Sequence, residues 1–373
     1  MSDFIHPSIE EHYPLINADQ RKAISAIDGP LLIIAGPGSG KTFVLVLRAL
    51  NILLAEKCLP KEMVLCTFTE KAAFELRDRI QQAARAIGYT GDLSQLQVGT
   101  IHGISNSFIS RYRLHTGWGS GAEVLDELTQ SLFLFENFEE IVGRVGENEK
   151  IFGHWSTRWT AIEGLSEFFN KITEELVDPQ MLTDCNDTFL SSIGQAYIRY
   201  EQKLHDLNRL DFAHQQKIFF DLLTDPEIAP KIQAEARYVM VDEYQDTNYI
   251  QEQLLLRLAI PQNNLCVVGD DDQSLYRFRG ATVRNILEFG KNFAPCPQVW
   301  LKINYRSHKE IISAYNRFMA GCDWSNPNNP FPFRYAKTIE ADPQSEQPEY
   351  PSVFQIWGDS EQDEAKRLAD LVA

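Results

Sequence analysis

Three short runs of the chain, Leu31–Ala35, Met63–Thr67 and Tyr238–Val241, are apolar at almost every position and stop abruptly at glycine or polar residues. Runs of this length, apolar throughout and rich in β-forming residues, predict strands covered on both faces, as in a parallel sheet. Leu265–Gly269 has the same character. The stretches between them change period. Phe43–Leu54 is apolar nearly all round and predicts a buried helix, whereas Lys71–Ala86 sets apolar residues among Arg77, Arg79 and Arg85 and predicts an amphipathic one. Strands alternating with helices indicate a doubly wound α/β domain.

From about Arg111 to Leu207 the pattern becomes long and amphipathic with few strand signals, which predicts an all-helical insertion. After the proline-flanked stretch 294–298 another apolar strand, Val299–Ile303, opens what reads as a new unit. That unit has room for one further strand, Ser352–Trp357, and one helix, Glu361–Val372. The expected division is therefore residues 1–110 with 208–298 as the α/β domain, 111–207 as the insertion, and 299–373 as the incomplete start of a second domain.

Composition narrows the classes. At 373 residues and 44% hydrophobic, the chain can bury a large core, which excludes disorder and fibres. A formal charge of -17 disfavours a protein that works by non-specific attraction to phosphate backbones, although a local basic surface is compatible with it. Of that charge, -7 falls in residues 339–373. The six cysteines are scattered without a CxxC pair, which argues against a zinc ribbon or an iron–sulfur cluster and fits a reducing compartment. The acidic N-terminus is unlike a signal peptide, and no apolar run approaches roughly 18 residues. A soluble, cytoplasmic protein with no membrane partner is expected.

The chemistry begins at Ala35-Gly36-Pro37-Gly38-Ser39-Gly40-Lys41-Thr42, which lies between a predicted strand and a predicted helix. Glycines there let backbone N–H groups point into one cavity, the helix start adds its positive dipole, and Lys41 supplies a point charge for outer phosphates. Thr42 suits Mg²⁺. At the end of another strand, Asp242 is suited to hold Mg²⁺ and Glu243 to orient and deprotonate an attacking water.

Seven separate motifs then occur in a fixed order: Leu15-Ile-Asn17-Ala-Asp-Gln20-Arg21-Lys22-Ala23, the loop at 35–42, Cys66–Ala73, Thr100-Ile101-His102, Val241–Thr247, Val268–Ala281 and Asn304-Tyr305-Arg306-Ser307. In content and order they resemble UvrD/Rep/PcrA-type superfamily 1 DNA helicases, and the chain is similar to the N-terminal half of one. The resemblance implies a P-loop, RecA-like parallel-sheet domain with an all-helical insertion and the start of a second RecA-like domain. It implies ATP and Mg²⁺ as cofactors, ATP hydrolysis coupled to 3′-to-5′ movement on single-stranded DNA, and single-stranded or 3′-tailed duplex DNA as partners.

Residue by residue, it implies that Gln20 reads the adenine edge, Tyr305 stacks on the base, Gln273 senses the γ-phosphate, and Arg306 contacts that phosphate. Phe68, Tyr276 and Phe278 resemble aromatic platforms for single-stranded bases, a sequence-tolerant contact worth about 1–3 kcal/mol per base. His102 and Arg279 resemble neighbouring strand-contacting residues. The match departs at Phe43, where many relatives have arginine, and at Phe278, where tryptophan is usual. Family members also continue into a complete second RecA-like domain that supplies another arginine. The alternative expectation is accordingly a truncated or split helicase subunit that binds ATP and single-stranded DNA without unwinding alone, a second polypeptide supplying the C-terminal half. An unrelated kinase or switch built on the same loop is the remaining class.

Overall fold

The computed structural model describes residues 4–372 apart from 120, 145, 147–148, 276–279, 294, 326–332, 345–352 and 354–355. Its centre is a six-stranded parallel sheet. In chain order the strands among the described residues are β1 (Leu31–Ala35), β2 (Met63–Thr67), β3 (Gln97–Thr100), β4 (Glu123–Leu125), β5 (Arg209–Asp211), β6 (Tyr238–Val241), β7 (Leu265–Gly269), β8 (Gln298–Leu301), β9 (Ile303–Asn304) and β10 (Glu340–Ala341). The large sheet runs β3-β2-β6-β7-β1-β8.

All five residues of β1, β2 and β7 are buried, as strands covered on both faces must be. Alternation sorts their side chains between two layers. Leu31, Ile33 and Ala35 pack with Met63 and Leu65 into one core, beneath the helices Lys41–Leu54 and Glu70–Ala86. Leu32, Ile34, Val64 and Cys66 face the other, with Phe108, Phe219 and Leu254. The four strands and two helices read from the sequence are present, the helices starting at Lys41 and Glu70. β3 escapes that reading because only Val98 and Thr100 are buried along it and Gly99 interrupts its side-chain pattern.

One placement is corrected. The strand expected to open a second unit is β8, which hydrogen-bonds to β1 in parallel, with Ile33 opposite Val299 and Ala35 opposite Leu301. Val299 and Leu301 are buried in the first core, so the strand closes the first sheet. Beyond it, β9 pairs in parallel with β10, Ile303 opposite Glu340 and Asn304 opposite Ala341. The expected strand Ser352–Trp357 lies largely outside the described residues, while the helix Glu361–Val372 is present.

The insertion is helical, with Glu127–Glu136, Arg158–Glu174 and Thr188–Asp206 as its longest members and a separate core around Phe133, Phe169, Tyr200 and Leu204. Its two ends are joined by β4 and β5, which pair in parallel. At this neck the buried Asp211 accepts from the Tyr200 hydroxyl at 2.7 Å and from the His214 N–H at 2.7 Å. Among the described residues no helix is long and apolar enough to cross a membrane.

Candidate nucleotide and nucleic-acid site

Every described residue singled out from the sequence, Gln20 apart, follows the carboxyl end of a strand, the edge where parallel α/β sheets bind ligands. The loop 35–42 leaves β1, Asp242 and Glu243 leave β6, Gln273 follows β7, and Tyr305 and Arg306 follow β9. Gly38 and Gly40 take left-handed backbone angles, φ +67° and +85°, that side chains with a Cβ rarely adopt. Gly40 is also the N-cap of the helix Lys41–Leu54, and no side chain caps its first turn. The N–H groups and positive end of the dipole there suit an anion. Within the loop the buried Ser39 donates its hydroxyl to the Gly36 carbonyl at 2.7 Å.

Lys41 reaches across to the end of β6, where its Nζ lies 2.7 Å from Glu243 Oε2. The same carboxylate oxygen accepts from Gln245 Nε2 at 2.9 Å. Glu243 has φ +52°, an uncommon conformation for a residue with a Cβ, and its N–H donates to Asp242 Oδ1 at 3.0 Å. Burial, and then the neighbouring Glu243 charge, push the Asp242 carboxyl up to about 6, against a lowering by Lys41. Asp246, not singled out from the sequence, joins this cluster: burial and then Glu243 raise it to about 7. Its buried Oδ1 has no hydrogen-bond partner among the described residues.

On the other flank of the loop the turn after β9 presses onto the glycines. Tyr305 donates its N–H to the Gly38 carbonyl at 2.9 Å. Asn304 Oδ1 accepts from the Arg306 and Ser307 N–H groups, each at 2.8 Å, so the turn is fixed by one side chain. Arg306 is exposed. The Tyr305 hydroxyl accepts from Asn17 Nδ2 at 2.7 Å. Asn17 and Gln20 form a capping box at the start of the helix Ala18–Ser25, and the Gln20 amide lies 3.5 Å from the Ser39 carbonyl. Gln20, Tyr305 and the glycine loop are thus brought together by residues from both ends of the chain.

Gln273 donates to Asp270 Oδ2 at 2.5 Å. Asp270 in turn accepts from Lys337, and Lys337 also pairs with Asp271 and Asp272. Sequence reading did not single out Lys337; its partners lie more than sixty residues away, and a lone lysine in Tyr-Ala-Lys-Thr carries no local signal.

Phe68 and His102 stand at neighbouring strand ends, since Thr67 of β2 lies opposite Thr100 of β3. Phe68 is half-buried. His102 Nε2 lies 2.7 Å from Gln216 Nε2, and burial lowers its pKa against an opposing pull from Glu70, which keeps the ring neutral at pH 7. Phe212 meets the His102 ring edge-on at 5.5 Å while 46% exposed. The sequence alone does not single it out, because the contact brings together residues 110 positions apart. Tyr276, Phe278 and Arg279 lie outside the described residues.

Residues 16–294 match the family model of the UvrD/REP helicase N-terminal domain. The chain is 34% identical over 327 residues to the ATP-dependent DNA helicase UvrD1 of Mycobacterium tuberculosis H37Rv, covering 82% of this chain and 39% of that protein. It is 32% identical over 303 residues to the ATP-dependent DNA helicase PcrA of Staphylococcus aureus NCTC 8325, covering 81% and 39%. With the putative ATP-dependent DNA helicase YjcD of Bacillus subtilis 168 it shares 29% over 334 residues, covering 87% and 40%. The chain spans about two fifths of the length of these relatives.

Proposed function

Because the chain belongs to the UvrD/REP helicase family, we propose that it is the ATP-hydrolysing part of a DNA helicase, and that hydrolysis there drives 3′-to-5′ movement along single-stranded DNA. Single strands and 3′-tailed duplexes are the proposed partners, and the cytoplasm is the proposed compartment. The observation that carries the reading is the convergence of Lys41, Glu243 and the Asn304–Arg306 turn on one glycine loop.

In this reading the glycine loop and the start of the following helix hold the phosphates, and Lys41 turns from Glu243 toward the outermost one. That exchange frees the Glu243 carboxylate to orient a water and take its proton as the water attacks the γ-phosphorus, ADP leaving on the opposite side. Gln273 and Arg306 contact the γ-phosphate; the guanidinium fork matches charge spread over equatorial oxygens. Gln20 and Tyr305 hold the adenine. Phe68 and His102, with Tyr276, Phe278 and Arg279, contact the single strand.

The oxygen donors of Thr42 and Asp242 fit Mg²⁺, a hard cation that keeps several waters and phosphate oxygens in its shell. When bound, Mg²⁺ would neutralise charge on the phosphates.

The test is steady-state ATPase with and without oligo(dT). Lys41→Ala should lose both nucleotide affinity and turnover, whereas Glu243→Gln should bind ATP normally and turn over about 10² to 10⁴ times more slowly. Parental rates in both variants would remove the site. ATP binding without DNA-stimulated turnover would favour the second reading, a subunit that needs the C-terminal half from elsewhere.

A further inference from the structure

The segment from Phe333 to Asp342 lies across three parts of the proposed ATPase site. Lys337 Nζ is 2.6 Å from Asp270 Oδ1 and 3.1 Å from Asp272 Oδ2, and also pairs with Asp271. Its side chain is 2% exposed, and those of Asp270 and Asp271 are fully buried. Arg334 completes the set with Nε 2.6 Å from Asp272 Oδ1, and the Tyr335 N–H donates to Asp271 Oδ2 at 2.7 Å. Tyr315 also donates its hydroxyl to Asp272.

Two residues further on, Ile339 covers the glycine loop so closely that a Cβ on Gly36 would stand 2.2 Å from Ile339 Cδ1. Glu340 and Ala341 then pair as β10 with β9, the strand that carries the Tyr305–Arg306 turn. Asn316 grips the Ile339 backbone from both sides, donating to its carbonyl at 2.8 Å and accepting from its N–H at 3.1 Å.

Three adjacent carboxylates removed from water repel one another, and a buried lysine paired with all three offsets that repulsion. Asp270 divides its two oxygens: Oδ1 accepts from Lys337, and Oδ2 accepts from Gln273 at 2.5 Å. Its backbone N–H donates to Gln245 Oε1 at 3.0 Å, and Gln245 in turn donates to Glu243. With the carboxylate plane fixed at one oxygen by a cation, the direction of the other oxygen, and so of the Gln273 amide, is fixed too. We propose that Lys337 is a positioning residue for the γ-phosphate response, acting through Asp270 on Gln273, so that docking of segment 333–342 sets how well the site tells ATP from ADP. The inference rests on the reading of Gln273 as the γ-phosphate sensor.

The test is the ratio of ADP to AMPPNP dissociation constants, measured on the whole chain by competition with a fluorescent ADP. Lys337→Met should reduce that ratio about fivefold or more while leaving ADP affinity within twofold, since ADP makes no use of the sensor. Gln273→Ala should reduce it to the same extent, the double variant no further, and Lys337→Arg should restore most of it. A simple loss of stability would instead weaken ADP and AMPPNP together. If Lys337→Met does not fold, Lys337→Gln carries the same comparison. A parental ratio in the Lys337 variants beside a reduced one in Gln273→Ala overturns the proposal and leaves the sensor reading standing. A parental ratio in Gln273→Ala overturns the sensor reading and the proposal with it, and full additivity in the double variant overturns the route through Gln273.

Discussion

Gly38 shows how much one missing methyl can matter. A Cβ there would stand 2.5 Å from Asn304 Oδ1 and 2.9 Å from Arg306 Cβ, on a backbone already left-handed. Gly38→Ala should therefore cost about 1–3 kcal/mol of stability and weaken ATP binding at least tenfold, read by urea denaturation and nucleotide titration. Gly88, at φ +73° with nothing within 4 Å of its added Cβ, is the control: Gly88→Ala should leave ATP binding unchanged. Asp246 gives a pH signature. Its folded pKa of about 7 exceeds the usual aspartate value of about 3.9, so ionisation costs more in the folded state, and this contribution lowers stability as pH rises from about 4 to about 7. Asp246→Asn should raise Tm at pH 8, with the gain shrinking at pH 5, by thermal denaturation of the nucleotide-free protein. Of these groups the sequence reveals Lys41, Asp242 and Glu243, because each sits in a local pattern whose chemistry demands it. Asp246 is hidden for a physical reason: its raised pKa comes from enclosure beside Glu243, which depends on how the chain after β6 turns.

Between elements, the largest unadvertised contribution is Arg48. The helix Lys41–Leu54 looks apolar almost all round, yet at its buried Arg48 a guanidinium donates to the carbonyls of Ala23 at 3.0 Å and Ile27 at 3.1 Å, and also to that of Ala26. These acceptors lie at the C-terminal end of the helix Ala18–Ser25, where carbonyls lack intrahelical partners. Asn51, one turn on, donates to the Ile24 carbonyl at 3.2 Å and the Phe4 carbonyl at 2.9 Å. The helix that begins with Asn17 and Gln20 is thus tied to the helix that begins with Lys41. Arg48→Met would leave buried carbonyls unpaired and should cost roughly 3 kcal/mol or more, measured by urea denaturation. It should also reduce the preference for ATP over GTP, because the helix that carries Gln20 at its other end loses its anchor. Periodicity finds the helix that carries Arg48 but not this joint, since a single arginine in an apolar run reads locally as a misplaced charge.

For the molecule as a whole, the existence of most central strands was legible, whereas β3 was not, nor was the sheet to which β8 belongs. β1, β2, β6 and β7 declare themselves through uninterrupted apolar runs. β8 declares itself too, but the prolines before it suggest a boundary, whereas the pairing of Leu32 with Gln298 and Ala35 with Leu301 places it beside the glycine-loop strand. Its role as a cover gives a prediction. A chain ended at residue 296 would turn β1, buried at all five positions, into a bare apolar edge and should aggregate, whereas one ended at 344 should stay monodisperse by light scattering. The insertion was legible as helix, whereas its separate core around Phe169 and Tyr200 is a finding of the structure.

The same pairing has a consequence for how the protein is made. Ala35–Thr42 leaves the ribosome before the partners of its strand, since β1 finds its neighbours only in residues 266–269 and 298–301, after the insertion with its own core has emerged. Contacts so distant in sequence form late. A nascent chain therefore carries its proposed phosphate-binding residues without a site to put them in until β8 has emerged, and the ability to hold nucleotide would report that translation has passed β8.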